Sequence, residues 1–263
     1  MPPLIKTKVG NIEMWVRQGP QAAWDVGTSH CIIAGDEYAL RHFSDASVRQ
    51  KVHTVVDVGA NIGAFTLLAR RVFPNARVIA IEPDPGNASV LRRNCGEDTL
   101  VTICETAALD DDCPKEVHLC RHDLNSGGNY VQDLFNRESK SVPFVDGNPV
   151  SVPCTSIHDL LTTQGVETIN LLKVDTEGSE VAIFSCLSRH GWLQKTTWIR
   201  FEWHGREAIP QLRQLLLPAG RRGTHHLRRP VRAVSGKVAA THWAAVCSGR
   251  TVASRPGCSR RNL

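Results

Sequence analysis

The sequence predicts an α/β protein built on a doubly wound, mostly parallel sheet with helices on both faces. Three observations carry this. Residues 54–65 run from an apolar, β-branched stretch into a glycine turn and then a helical pattern. Strand and helix patterns then alternate, which requires parallel strands joined by crossovers. An acid, Glu82, directly follows the second strand pattern, 23 residues after Gly59. That is close to the ~20 expected of an acid that binds ribose hydroxyls.

The elements follow in order. Residues 4–34 read as short strands around a turn at Gly10-Asn11, and residues 36–48 as a short helix. Residues 1–48 are thus expected to pack on the core and to shape the mouth for a substrate. The main domain covers residues 49–217. Its first strand is Thr54-Val55-Val56-Asp57-Val58, and its first helix spans 61–73, stopping before Pro74. Residues 77–81 form strand two, and residues 87–95 form a helix with Asn87 as its cap. Residues 100–104 form strand three. Residues 110–153 are the least regular part and include the flexible composition Asn125-Ser126-Gly127-Gly128-Asn129. Thr155 or Ser156 caps a short helix. Strand four covers 169–174, and a helix spans 177–190 with Gly191 just beyond its end. Strand five covers 197–203, and a last helix runs from 206 to 217.

The glycine spacing narrows the choice of ligand. Gly59 and Gly63 would let the backbone approach a bound molecule, because a Cβ at either place would intrude. A dinucleotide turn has the form G-x-G-x-x-G, but this turn reads Asp57-x-Gly59-Ala60-Asn61-x-Gly63, with no middle glycine. A carboxylate aimed into the turn suits a cofactor with a cationic amino acid end and no phosphate. S-adenosylmethionine is such a cofactor, and a nicotinamide dinucleotide is not.

Composition sets further bounds. The chain has 263 residues, 41% of them hydrophobic, enough for one ordinary α/β domain and an appendage. No apolar run approaches a membrane span, and the first residues lack the apolar core of a signal peptide, so a cytoplasmic location is expected. The nine cysteines include no C-x-x-C pair, so spacing offers neither a zinc site nor a disulfide framework, and buried thiols are expected. Cys104 and Cys186 lie in apolar segments. The net charge of +5 belongs to residues 218–263, which carry ten Lys or Arg and no acid. The remaining body has 21 basic and 26 acidic residues, a net of −5, which argues against nucleic acid as a partner of the body.

Four ordered segments resemble FkbM-type methyltransferases, a group within the class I S-adenosylmethionine-dependent methyltransferases. They are Val56-Asp57-Val58-Gly59-Ala60-Asn61-Ile62-Gly63, Ile81-Glu82-Pro83-Asp84-Pro85-Gly86-Asn87, Leu171-Leu172-Lys173-Val174-Asp175-Thr176-Glu177-Gly178-Ser179-Glu180 and Phe201-Glu202-Trp203-His204. The resemblance spans roughly residues 50–205. It implies a Rossmann-like, seven-stranded sheet and methyl transfer to an oxygen, commonly a hydroxyl of a sugar or secondary metabolite. The acceptor would then be a small molecule or a glycan. By that resemblance Asp57, Gly59, Ala60, Asn61 and Gly63 surround the methionine part of the cofactor. Glu82, with Pro83 beside it, holds the ribose. Ala107 lies near the adenine, and Asp175 faces the methyl group or the acceptor.

The acids after strands four and five suit the chemistry. A hydroxyl must lose its proton to attack a sulfonium methyl, and a general base contributes about 10²–10⁴-fold. Asp175, Glu177, Glu202 and His204 all fall at one sheet edge, and His204 is a natural base by its ordinary pKa. The carboxylates could instead gather a divalent metal that acidifies the hydroxyl, although no tight ligand cluster is visible in the sequence. Each has a plainer alternative: Asp175 could hold the turn, Glu177 could serve a helix dipole, and His204 could be a solvated cap. Residues 218–263 do not supply the last two strands. They read either as a disordered basic tail or as a frame-shifted end. The alternative function is therefore a protein that binds the cofactor without turnover.

Overall fold

The computed structural model describes residues 2–122, 125–134, 149–204 and 208–216. The chain opens with a hairpin of β1 (Leu4–Val9) and β2 (Ile12–Arg17), in register from Leu4 opposite Arg17 to Val9 opposite Ile12. Gly10, at φ +57°, takes the left-handed conformation that this turn requires. The strand reading of residues 4–34 holds only this far, because Ala22–Ile33 is a helix, α1. Its buried anchor is polar. Asp25 accepts hydrogen bonds from the Arg17 guanidinium at 2.9 and 2.7 Å and from the Arg17 amide at 3.0 Å. This pair ties α1 to β2, and no apolar stripe in the sequence announces it. The helix expected over 36–48 is also broken up. Left-handed Asp36 and Ala39 interrupt it, leaving a single 3₁₀ turn, Leu40–His42, and the short α2 (Ala46–Arg49).

The alternating part is as the sequence predicts. It runs β3 (Thr54–Val58), α3 (Ala64–Val72), β4 (Arg77–Ile81), α4 (Pro85–Cys95) and β5 (Val101–Cys104). The cap of α4 is Asp84, whose side chain accepts from the Asn87 amide at 2.9 Å, so Asn87 is a helix residue and not the cap. Next come β6 (Ala107–Leu109), β7 (Glu116–Cys120), β8 (Tyr130–Val131), β9 (Val150–Ser156) and α5 (Ile157–Thr163), with Ser156 as its cap. The chain continues with β10 (Ile169–Val174), α6 (Glu180–Arg189), β11 (Thr196–Phe201) and α7 (Ala208–Leu216).

Five parallel strands make the central sheet in the order β11-β10-β3-β4-β5. Strand residues alternate between its two faces. Val56 and Val58 join one core with Ile79, Leu172, Phe184 of α6 and Leu212 of α7. Val55 joins the opposite core with Val78, Leu171, Phe65 of α3 and Met14 of β2. Both faces are therefore covered, which is why these strands read as continuous apolar runs. The strands expected to complete a seven-stranded sheet, and both readings of residues 218–263, lie outside the described residues. The described part of residues 110–153 is more regular than its composition suggests. It contributes β7, β8 and the start of β9 to a second sheet, ordered β6-β9-β7-β8. β6 and β8 are short, and β7 starts with alternating solvent exposure, so each of these gives a weak pattern.

The chain builds outward from β3 to β5 and later returns to β10 beside β3. That reversal leaves a crevice at the carboxyl ends of β3 and β10, the standard place for a ligand in such a sheet.

Candidate active site

The floor of the crevice is backbone packed on backbone. Gly59 follows β3 at φ +78°, and a Cβ there would stand 1.8 Å from the Asp175 carbonyl oxygen after β10. Gly63, at φ +95°, faces Leu91 Cδ1 and Cys95 Sγ of α4, at 2.8 and 3.1 Å from its ideal Cβ position. Gly59 lines the cavity, as the close-approach reading expects, and both glycines also let two strand ends and two helices meet beneath it.

The reading of Asp57 is corrected. It is fully buried and does not line the cavity. Its carboxylate accepts from Thr66 Oγ1 at 2.6 Å and lies 3.2 Å from Lys173 Nζ. Lys173 also donates to the carbonyls of Gly59 at 2.5 Å and Val58 at 3.3 Å, and stands 4.0 Å from Asp175. Burial opposes its charge, but Asp57, Asp175 and Glu82 outweigh that and raise its pKa. A buried ammonium therefore pins the glycine turn to the next strand.

Above this floor lies a cavity of ≈ 580 Å³. It falls within the range of about 300–1,000 Å³ typical of small-molecule sites. Gly59, Ala60, Asn61, Glu82, Pro83, Ala107, Asp175, Glu177 and Glu202 line it; Gly63 and His204 do not. Glu82 is held from three directions. Its Oε2 accepts from the Asn61 amide at 2.8 Å, and its Oε1 from the Asp84 amide at 2.9 Å and Asn87 Nδ2 at 3.3 Å. Burial raises its carboxyl to about 7, partly offset by the Asp84 and Asn61 amides. Asn61 sits at φ +50°, and its buried Oδ1 has no hydrogen-bond partner among the described residues. Ala107, Ala108, Leu109 and Leu119 form an apolar wall.

At the other end the acids gather. Asp175 Oδ2 accepts from the Tyr38 hydroxyl at 2.7 Å. Burial, followed by the charge of Asp175, raises Glu202 to about 8, and the same two causes raise Glu37. Glu177 sits at φ +56° in the turn before α6, not in the helix's first turn. Glu180, the first residue of α6, organises that turn. Its Oε1 accepts from the amides of Thr176 and Gly178 and the hydroxyl of Thr176, each at 3.1 Å.

His204 is not the base its ordinary pKa suggests. Its Nδ1 is 3.0 Å from Glu180 Oε1, and its Nε2 is 3.4 Å from Glu177 Oε2. Burial alone would lower its pKa, but Glu180 and Glu177 overcome burial and push it up to about 10. The ring is an imidazolium at neutral pH and has no lone pair to offer. Donor atoms of Asp175, Glu202 and His204 do lie within 4.8 Å of one another. In this arrangement the histidine pairs with Glu180 and Glu177.

Sequence reasoning gave no role to Lys173, Tyr38 or Glu37. Lys173 stood inside a quoted motif, where a charge in an apolar strand was the available signal. Glu37 and Tyr38 reach the site from a distant, irregular segment that carries no pattern.

Comparison with known proteins agrees with this geometry. The chain matches the family model described as the methyltransferase FkbM domain over residues 57–223. It is 28% identical over 190 residues to the methyltransferase sdnD of Sordaria araneosa, covering 63% of this chain and 72% of that one. It is 26% identical over 159 residues to the 31-O-demethyl-FK506 methyltransferase FkbM of Streptomyces tacrolimicus, covering 52% and 60%. It is 25% identical over 158 residues to the 2-O-methyltransferase NoeI of Sinorhizobium fredii (strain NBRC 101917 / NGR234), covering 58% and 64%. The family match takes in most of the chain, from the end of β3 through β4, β5, β10 and β11, and the protein belongs to the FkbM methyltransferase family.

Proposed function

We propose that this protein transfers a methyl group from S-adenosylmethionine to a hydroxyl oxygen of a small-molecule or glycan acceptor. The charge of the cavity lining carries the reading. Glu37, Glu82, Asp175, Glu177 and Glu202 face the cavity, and Lys173 is the one Lys or Arg among the described lining residues. Such a lining opposes a pyrophosphate and favours a cationic sulfonium. The relatives whose names specify an O-methyl position support oxygen as the acceptor atom.

The donor set fits the cofactor along its length. When bound, it supplies an electrophilic methyl on a positively charged sulfur. Glu82 has lone pairs left to accept a ribose diol, and Ala107, Ala108, Leu109 and Leu119 offer an apolar slot for the base. The unpartnered Asn61 Oδ1 can accept from the ammonium of the methionine end. At the acidic end, Asp175 orients the acceptor hydroxyl, with its own carboxylate held by Tyr38. Glu202 takes the hydroxyl proton, because burial has made its carboxylate more basic than usual.

Calorimetric titration with S-adenosylmethionine and S-adenosylhomocysteine is the direct test, followed by radiolabelled methyl transfer to a panel of hydroxyl compounds. Micromolar binding that Glu82→Ala weakens supports the reading. Absence of binding by folded protein overturns it.

A further inference from the structure

A second group of donors lies away from the cavity lining, where the turn after β6 meets the end of α6. Asp111 Oδ1 is 3.3 Å from Cys186 Sγ, and Asp111 Oδ2 is 2.8 Å from His190 Nε2. The three donor atoms all lie within 4.8 Å of one another. Cys186 is buried, while Asp111 and His190 are open to solvent. Cys186 and His190 stand four residues apart, so the end of α6 presents both on one face.

We propose that Asp111, Cys186 and His190 form a binding site for zinc or a similar borderline-soft divalent cation, with water completing the coordination. Carboxylate, thiolate and imidazole are the donor types that zinc takes. Tetrahedral zinc with bonds of about 2.0–2.3 Å needs its donors about 3.4–3.6 Å apart. The observed 3.3 Å needs an opening of only a few tenths of an ångström, and the 2.8 Å pair one of roughly 0.6 Å.

The imidazole is also held from behind. His158 stacks on His190 with ring centroids 3.7 Å apart and planes 4° from parallel. The indole N–H of Trp192 in turn donates to His158 Nδ1 at 3.1 Å. Orientation of a ligand ring by outer groups is a regular property of metal sites. Binding forms a metal–sulfur bond and releases the Cys186 thiol proton to solvent.

Arg189 opposes the cation. It donates to Asp111 at 2.5 Å and to Asp110 at 2.7 and 3.0 Å. Its half-exposed side chain can stay on Asp110 alone, whose carboxylate offsets the charge. The site would join the turn after β6, a strand that lines the cavity, to the helix that follows β10.

The test uses full-length protein stripped with a chelator and titrated with Co²⁺, then with Zn²⁺ as competitor. One equivalent of Co²⁺ should give tetrahedral absorption with a sulfur-to-metal charge-transfer band, and Zn²⁺ should abolish both. Cys186→Ser should remove the charge-transfer band. The surface variant Asp111→Asn should weaken binding at least about tenfold, and Arg189→Ala should tighten it. Circular dichroism confirms that each variant is folded. No charge-transfer band in the folded wild type, or a band that survives in Cys186→Ser, would mean a hydrogen-bonded network without a cation and would overturn the proposal.

Discussion

Glu82 and Glu202 show how burial tunes a carboxyl at the residue scale. Glu82 has a value near 7 in the free protein, and diol donors bind its ionised form better. Affinity for S-adenosylhomocysteine should therefore rise as pH increases through about 7. Glu82→Ala should cost about 1.5–3 kcal/mol of binding, the range for hydrogen bonds to a charged group, and should remove that pH dependence. Calorimetry across pH reads both effects. Glu202, raised to about 8, must be ionised to accept a proton. The kcat/KM of the wild type should climb with pH through about 8 and then level. Glu202→Gln should lower kcat by about 10²–10⁴-fold and abolish that climb, with a smaller effect on KM. The base assignment is wrong if the variant keeps the wild-type profile.

At the scale of elements, Gly59 shows what the crevice requires. It is left-handed, and a Cβ would fall inside bonding range of the Asp175 carbonyl. Gly59→Ala should separate the ends of β3 and β10. We expect more than about 3 kcal/mol of destabilisation, from backbone strain together with overpacking, and loss of cofactor binding. Urea denaturation followed by titration checks both. The strands of the central sheet were legible because each is apolar on both faces and is followed by a turn and a helical period. Helix α1 was not legible. Its place depends on the buried Arg17–Asp25 pair, and pairing across eight residues leaves no periodic trace. Strands β7 to β9 were missed for a different reason. β7 and β9 pair over more than 30 residues of sequence and β8 has only two residues, so their pattern is weak until the partner is known.

The molecule as a whole ties its acidic site together with two cations, the buried Lys173 and the partly buried His204. His204 has a folded value near 10, above its ordinary 6.5. Its stabilising contribution is complete below about 6.5 and is lost as pH rises through about 10. Urea unfolding between neutral and alkaline pH should therefore show declining stability over that window. His204→Ala should flatten this decline and cost about 3–5 kcal/mol at neutral pH, the usual result of breaking a buried ion pair on one side. A variant that unfolds like the wild type at every pH would show that the pair is not formed. Stability and chemistry are joined here, because the imidazolium neutralises the glutamates that would otherwise repel Asp175.

The sequence by itself determined the sheet class, the site edge and the nature of the ligand, because those rest on local periodicity and on the residues that end each strand. Glu82, Asp175 and Glu202, named from the sequence, all line the cavity for that reason. The tertiary structure decided what each charge does. A buried pKa depends on neighbours brought from far along the chain, and Tyr38, Lys173 and Glu180 meet this site only after folding. The same holds for Asp111 and Cys186, which stand 75 residues apart and come within 3.3 Å.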